Sequence, residues 1–357
     1  ESMRHTPETT ELELTYFRIR LVSYAFIAWQ TALASFYQAI GKPVIPMYAT
    51  IVGNVSNIVL DYIFIFGKLG FPAMGIAGAA WATVLALLIQ AAMLHVMFMS
   101  PSTDSAYGSR STWRPDLAKF RELFNIGWPA GLSGLFDVAS WSIFISFIVG
   151  RFGDAQLAAN TAAINFMHLT FVPAMAIGMA TTPIVGKWRG KGDYLMARRR
   201  ALTAVKVGVV IMASVGSTLA IFGGYLMQAF TMDPAVIELG HALLIFAAIF
   251  AGFDAVNIIL MGALRGAGDT RWIMWVLFIG SYFVCLPVSS FFAIVLDMGA
   301  RGAWLGAMIY IISLSGVFFW RFHRGEWRHI NIFTAEIGVA DGSVVIPPAG
   351  VAAKLEN

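Results

Sequence analysis

The sequence has little charge and a single cysteine. Only 12% of its 357 residues are charged, whereas a soluble domain carries about 25%. With one cysteine, Cys285, the chain has no disulfide framework and no cysteine cluster at metal-ligand spacing. The net charge of +4 is modest and forms no basic stripe, which excludes nucleic acid as a partner.

Catalytic and cofactor motifs are absent from the sequence as well. It contains no HExxH, no GxSxG and no pair of histidines at ligand spacing in an apolar run. The glycines of Gly266-Ala-Gly268 join two apolar runs rather than a strand and a helix, so we interpret them as a tight turn and not as a phosphate loop. We therefore predict no enzymatic activity, no cofactor and no metal site.

Hydrophobic residues make up 58% of the chain and lie in long runs. A membrane-spanning helix needs about 20 mostly apolar residues. Such runs predict about nine spanning helices, and hence an all-α integral membrane protein. The predicted spans are Val22–Ile40, Ile45–Phe66, Met74–Met99, Phe124–Val149, Leu157–Val185, Ala201–Phe230, Val236–Leu264, Trp272–Leu296 and Gly302–Trp320.

The connections between these spans differ in their content of Lys and Arg. The richest, 186–200, belongs to one alternating set, whereas the opposite set holds only Lys68, Arg151 and Arg301. Positively charged loops stay in the cytoplasm, so the C-terminus is predicted to be cytoplasmic and the N-terminus external. An external start without a signal peptide leads us to expect that the sequence comes from a longer chain.

The chain divides into four segments. Residues 100–118 are polar and predict a cytoplasmic linker between two helical lobes. Residues 1–99 hold the last three helices of the first lobe, residues 119–325 hold a six-helix second lobe, and residues 326–357 form a polar cytoplasmic tail that we predict to be disordered after Asn331.

A weak internal repeat supports the two-lobe interpretation. The segment 36–47 parallels 263–274, and the segment 75–80 parallels 299–304. Both copies run from an outer helix into an inner turn, which indicates parallel repeats such as those of secondary transporters. A six-helix second copy implies that the first copy here lacks three helices.

Several motifs now resemble one family. They are Leu264-Arg-Gly-Ala-Gly-Asp-Thr270, Ile51-Val-Gly-Asn-Val-Ser-Asn57 with Ile65-Phe-Gly-Lys-Leu-Gly-Phe71, and Gly127-Trp-Pro129. Together they resemble the multidrug and toxic compound extrusion (MATE) family in its bacterial NorM-like branch. The resemblance implies a twelve-helix, two-lobe, multi-pass monomer of the bacterial inner membrane. It also implies export of small organic, often cationic compounds in exchange for sodium ions or protons. We expect the isolated chain, without three helices, to be inactive.

Three acidic residues lie inside predicted spans, namely Asp61, Asp137 and Asp254. An acid at a helix centre costs about +2.5 to +3.5 kcal/mol on insertion scales and needs a reason. Because burial disfavours the charged carboxylate, Asp137 and Asp254 could exchange a proton for a metal ion or a cationic substrate. The alternative is a carboxylate paired for stability alone. For Asp61, nearer the outer end of its helix, we expect a local hydrogen bond instead.

The resemblance assigns Asp137 and Asp254 to acidic positions of the family, with two departures. Asp137 is one methylene shorter than the usual Glu, and Phe250 lacks the hydroxyl that some members carry as Tyr. The candidate cation and substrate site is completed by Asn57 and Asn160, polar positions for which hydrogen bonding between helices is the open alternative. The competing function is a lipid or lipid-linked saccharide flippase, for which a more cationic cavity is expected.

Overall fold

The computed structural model describes residues 7–111 and 115–330, and this part of the chain contains helices and no strand. It confirms the predicted all-α class. The predicted disordered tail from residue 331 lies outside the described residues. The α-helices are α1 (Pro7–Ala39), α2 (Val44–Phe66), α3 (Gly75–Phe98), α4 (Pro101–Tyr107), α5 (Leu117–Ile143), α6 (Asp154–Gly190), α7 (Tyr194–Gln228), α8 (Pro234–Gly266), α9 (Thr270–Ile279), α10 (Leu286–Ser290) and α11 (Gly299–Arg324).

Eight helical segments of the described chain are long and apolar enough to cross a membrane. They coincide with eight of the predicted spans, from Val44–Phe66 to Gly299–Arg324, so the protein is a multi-pass membrane protein. The first predicted span, Val22–Ile40, lies in α1 except for Ile40 and is not among the eight. Its run is interrupted by Gln30, Gln38 and hydroxyl-bearing side chains, which lower its hydropathy.

The chain forms two compact units that divide between Pro115 and Asp116. In the first unit, α3 packs against both α1 and α2. Its core contains Leu33 and Tyr37 of α1, Ala49 of α2 and Leu94 of α3. The short helix α4 occupies part of the segment for which we predicted a linker, and residues 112–114 of that segment lie outside the described residues.

The second unit is built around α8, which packs against α6, α7 and α11, while α5 packs against α9. Aspartates begin several of its helices. The side chain of Asp116 accepts hydrogen bonds from the first turn of α5, and Asp193 and Asp233 do the same for α7 and α8. The unit continues past residue 325 into a 3₁₀ turn at Glu326–His329, where the indole of Trp327 is buried.

The two copies of the predicted repeat share a backbone turn. Gly41 and Gly268, at the predicted offset, have φ values of +77° and +81°, a left-handed conformation that glycine adopts without strain. The amide of Lys42 donates to the carbonyl of Tyr37 at 2.8 Å, and the equivalent amide of Asp269 donates to Leu264 at 2.9 Å. Both helices therefore end in the same C-terminal turn.

Two of the long apolar helices depart from regular α-geometry. A π-helical turn at Phe144–Ile148 follows α5, and the span from Thr270 to Val295 contains π-helical turns at Gly280–Cys285 and Phe291–Val295. In contrast, α6 stays helical through Pro173 over 37 residues. The sequence predicted the helices but gave no sign of the π-helical turns.

Candidate cation site

A cavity of about 690 Å³ lies within the second unit. Side chains of α5, α6, α8, α9 and α11 line it, and most of them are apolar. The polar lining includes Ser133, Asp137, His168, Asp254, Asn257 and Arg265. The two acids that the sequence singled out therefore face one chamber, although they are 117 positions apart in the chain.

Asp137 projects from the middle of α5 and is half-buried. Among the described residues its carboxylate makes no hydrogen bond and no ion pair within 4.0 Å. Its backbone carbonyl accepts a hydrogen bond from Ser140 at 2.9 Å, which is ordinary packing within the helix. The carboxylate oxygens are thus available to a ligand in the cavity.

Asp254 lies on α8, one turn before Asn257. The Asn257 amide nitrogen is 3.5 Å from Oδ1 of Asp254, which is the long limit of a hydrogen bond. The amide oxygen of Asn257 is buried and has no hydrogen-bond partner in the described part of the chain. Carboxylate and amide oxygens are hard ligands of the kind that small metal cations prefer, and the carboxylate can alternatively bind a proton.

Sequence reasoning did not include Asn257 or Arg265 in the site. Arg265 was missed because its position beside a turn fits a cytoplasmic loop charge. It lies in the last turn of α8, and its Nη2 donates to Oγ of Ser133 at 3.2 Å. Ser133 precedes Asp137 by one turn of α5, so the guanidinium lies beside Asp137 and interacts electrostatically with its carboxylate. No signal in the sequence showed that this side chain turns into the cavity.

The contact between α6 and α8 fixes the end of the helix that carries Arg265. A Cβ atom on Gly262 would lie 2.3 Å from the carbonyl oxygen of Gly178, and one on Gly266 would lie 2.1 Å from that of Thr182. The hydroxyl of Thr182 also donates to the carbonyl of Gly262 at 2.9 Å. Small residues at a spacing of four allow this approach, as in other membrane helix pairs.

The other predicted site residues lie in different surroundings. Phe250 lines the cavity, and its ring stacks on Trp304 with centroids 6.2 Å apart. Asn160 is fully buried and does not line the cavity, because its Oδ1 accepts a hydrogen bond from the indole of Trp304 at 2.9 Å. This geometry favours the open alternative of bonding between helices for Asn160.

Asn57 belongs to the first unit and does not line this cavity. Its amide nitrogen is buried without a hydrogen-bond partner in the described residues. Asp61 follows it by one turn of α2, is half-buried, and shows none of the local hydrogen bonds that we expected of it in the described chain. The expectation of a local hydrogen bond at Asp61 was therefore wrong for the described residues, and the role of Asn57 stays a prediction.

Comparison with known proteins identifies the family. The MatE family profile matches residues 1–63 and 129–291. A probable multidrug resistance protein NorM from Burkholderia pseudomallei is 32% identical over 299 residues, which are 82% of this chain and 63% of that protein. The chain thus spans somewhat less than two thirds of the length of this relative.

Solved structures show the same fold. A mutant of the Vibrio cholerae MATE transporter VcmN superposes with a TM-score of 0.80 at 22% identity, over 92% of this chain and 72% of that one. A MOP superfamily transporter from Pyrococcus furiosus, described as having a binding pocket of reverse polarity, gives a TM-score of 0.80 at 22% identity, over 90% and 72% of the two chains. With a profile that covers more than half of its residues and a fold shared with these transporters, the chain belongs to the MatE family, the multidrug and toxic compound extrusion transporters.

Proposed function

We propose that the protein is a secondary antiporter that exports small organic, often cationic compounds in exchange for sodium ions or protons. The observation that supports this proposal is the presence of two carboxylates, Asp137 and Asp254, in one largely apolar cavity of about 690 Å³. A cavity of this volume is in the range of pockets that hold drug-sized molecules. Neither carboxylate is held in an ion pair within 4.0 Å among the described residues.

The chemistry follows from the cost of unpaired charge away from water. An empty pair of carboxylates in such a cavity is unfavourable, so the site binds either coupling cations or a cationic substrate. When the cavity alternates between the two sides of the membrane, each cation displaces the other and exchange results. Apolar and aromatic lining residues such as Trp141 and Phe250 provide contact area for a flat organic cation.

The relatives and the fold support the setting of this activity. We propose that the protein is a monomer in the bacterial inner membrane. Its C-terminus is then cytoplasmic, because basic residues concentrate in the connections assigned to that side. Its partners are then the lipid bilayer, a small organic substrate and a coupling cation. A transporter needs no catalytic groups, in agreement with the absence of catalytic motifs from the sequence.

The test is ethidium efflux from efflux-deficient bacteria that express the full-length gene. We expect export by the wild type and export at the level of the empty vector for the Asp137→Asn, Asp254→Asn double variant. Loss of one ion contact at about 4 Å removes about 4 kcal/mol at an effective dielectric constant of 20, which corresponds to a decrease in affinity of more than a hundredfold.

The matched control is Glu238→Gln, which removes an acid whose side chain is 80% exposed. It should export at the wild-type rate. Membrane abundance and monodispersity in detergent must be equal for the compared variants. Wild-type export by the double variant would eliminate the proposed exchange site.

Arg265 gives the competing function, a lipid or lipid-linked saccharide flippase, one specific point in its favour, because a guanidinium in the cavity can bind a phosphate. The two carboxylates beside it oppose an anionic ligand, so we rank this function second. Depletion that blocks envelope assembly without any change in drug tolerance would reverse the order.

A further inference from the structure

Two carboxylates and one guanidinium line the cavity among the described residues, namely those of Asp137, Asp254 and Arg265. His168 and Tyr310 are the other titratable groups in its lining. The guanidinium of arginine stays protonated at all physiological pH values. The cavity therefore carries one permanent positive charge opposite two groups that can each carry a negative charge.

Arg265 is held in place by the protein and is not a mobile surface charge. Its Nη2 donates to Ser133 at 3.2 Å, and its Nε is buried without a hydrogen-bond partner in the described chain. The α8 turn that carries it is locked against α6 at Gly262 and Gly266. The guanidinium is thus a cation of the protein itself that lines the cavity and is held by a hydrogen bond to a neighbouring helix.

The contact between Arg265 and Asp137 is electrostatic and not a closed ion pair. No pair of their nitrogen and oxygen atoms lies within 4.0 Å, although both side chains line the same cavity. The guanidinium therefore offsets one negative charge of the site and still leaves the oxygens of Asp137 open to a ligand. A closed pair would have removed Asp137 from exchange.

In a cavity lined mostly by apolar side chains, the states with zero net charge are the most stable ones. With both carboxylates ionised and Arg265 protonated, the cavity lacks one positive charge. From this charge count we infer that Arg265 restricts the site to one exchangeable positive charge per cycle, so that it selects singly charged cations over dications. This inference rests on the proposed function, since it concerns the same site.

The test uses the full-length protein, purified as wild type, Arg265→Gln and Arg265→Lys. Binding of the monocation tetraphenylphosphonium and of the dication methyl viologen is measured by isothermal titration calorimetry, and export of both from proteoliposomes is measured in parallel. All proteins and both probes are compared in the same buffer at one constant pH. The control is Arg301→Gln, which removes an exposed cation outside the cavity.

We expect wild type, Arg265→Lys and Arg301→Gln to prefer the monocation. In Arg265→Gln the ratio of the two dissociation constants should move toward the dication by about tenfold or more, because one positive charge is then missing from the site. Each probe serves as the other's control for altered folding, since misfolding weakens both.

The other outcomes show whether the inference about Arg265, the proposed antiport function, or both are wrong. Normal export by the wild type together with an unchanged ratio in Arg265→Gln would overturn the inference and leave the proposed function intact. A shifted ratio in Arg265→Gln, without export of either probe by the wild type, would overturn the proposed function. It would leave intact the inference that Arg265 sets the preference for monocations. Failure of the wild type to bind either probe would overturn both.

Discussion

The indole nitrogen of Trp304 donates a hydrogen bond to Oδ1 of Asn160, 2.9 Å away, and both residues are at most 1% exposed. The bond joins α11 to α6 and places Trp304 where its ring stacks on Phe250. Asn160 thus supports the cavity wall through Trp304 and does not contact the cavity. This polar residue of an apolar helix therefore serves to bond two helices together and does not bind a ligand in the cavity.

This bond predicts a coupled loss of stability. Asn160→Ala and Trp304→Phe should each lower the free energy of unfolding, since each leaves one buried polar group without its partner. The coupling energy in a double-mutant cycle should be about 0.6 to 1.7 kcal/mol, the range for hydrogen bonds between membrane helices. The measurement is reversible unfolding in mixed micelles. Additive effects would show that the bond contributes nothing.

Two ion pairs of equal length are expected to differ in energy. Arg321 and Asp269 lie 2.9 Å apart with side chains that are 15% and 7% exposed, whereas Arg301 and Glu238, also 2.9 Å apart, are 48% and 80% exposed. Arg321→Gln should destabilise the protein by about 3 kcal/mol, because it leaves a buried carboxylate without its partner. Arg301→Gln should cost less than about 1 kcal/mol.

Thermal unfolding in detergent at low and high salt checks this prediction. Salt should narrow the difference between Arg301→Gln and wild type and leave the effect of Arg321→Gln nearly unchanged, because buried charges are poorly screened. The double variant Asp269→Asn, Arg321→Gln should be more stable than Arg321→Gln alone. Equal losses for the two single variants would contradict the role of burial.

The close contact between α6 and α8 predicts that glycine-to-alanine substitutions differ sharply in their effect on stability. Gly266→Ala forces its Cβ against the Thr182 carbonyl oxygen, 2.1 Å away, and should cost about 1 to 3 kcal/mol by overpacking. Gly131→Ala and Gly316→Ala, in helices with nothing within 4 Å, should be neutral or stabilising by up to about 1 kcal/mol. Melting temperatures of the three variants in one detergent provide the comparison.

The proposed topology can be tested with the single native cysteine removed. Cys285 is 5% exposed. The variant Cys285→Ala has no cysteine, so a single cysteine introduced into it is the one site that a maleimide can label. Lys191→Cys, in the turn before α7, should react with a membrane-impermeant maleimide only after cell lysis. Met232→Cys, at a position 88% exposed before α8, should react on intact cells. The reverse pattern would invert the assigned orientation.

Hydrophobicity found the membrane spans more reliably than the helix ends. The predicted span Ile45–Phe66 differs from α2 by one residue, whereas α1 begins at Pro7, well before the predicted Val22. A charged, exposed segment can continue a helix without adding apolar length, so hydropathy marks the span and not the helix. The repeat was also detectable, because its glycine turns impose the same backbone conformation at Gly41 and Gly268.

The site was only partly predictable for a different reason. Asp137 and Asp254 were found because an acid in an apolar run is costly and therefore conspicuous. Arg265 was overlooked, since an arginine near a turn has an ordinary explanation in membrane topology. Whether such a side chain leaves the membrane or turns inward depends on the small residues beside it and on Ser133 of another helix, and a linear pattern shows neither.

At Gly262 and Gly266 of α8, backbone carbonyl oxygens of α6 lie directly against glycine, and the Thr182 hydroxyl adds a hydrogen bond across the contact. Shear motions slide packed helices past each other by small amounts, and the close approach of the two backbones at these glycines leaves little room for such sliding. We therefore expect α6 and α8 to move together, and we expect any rearrangement within the second unit at contacts made by side chains, such as the one between Phe136 and Phe278, whose rings are 4.9 Å apart. Asp254 and Arg265, which both belong to α8, would then keep their spacing during such a rearrangement.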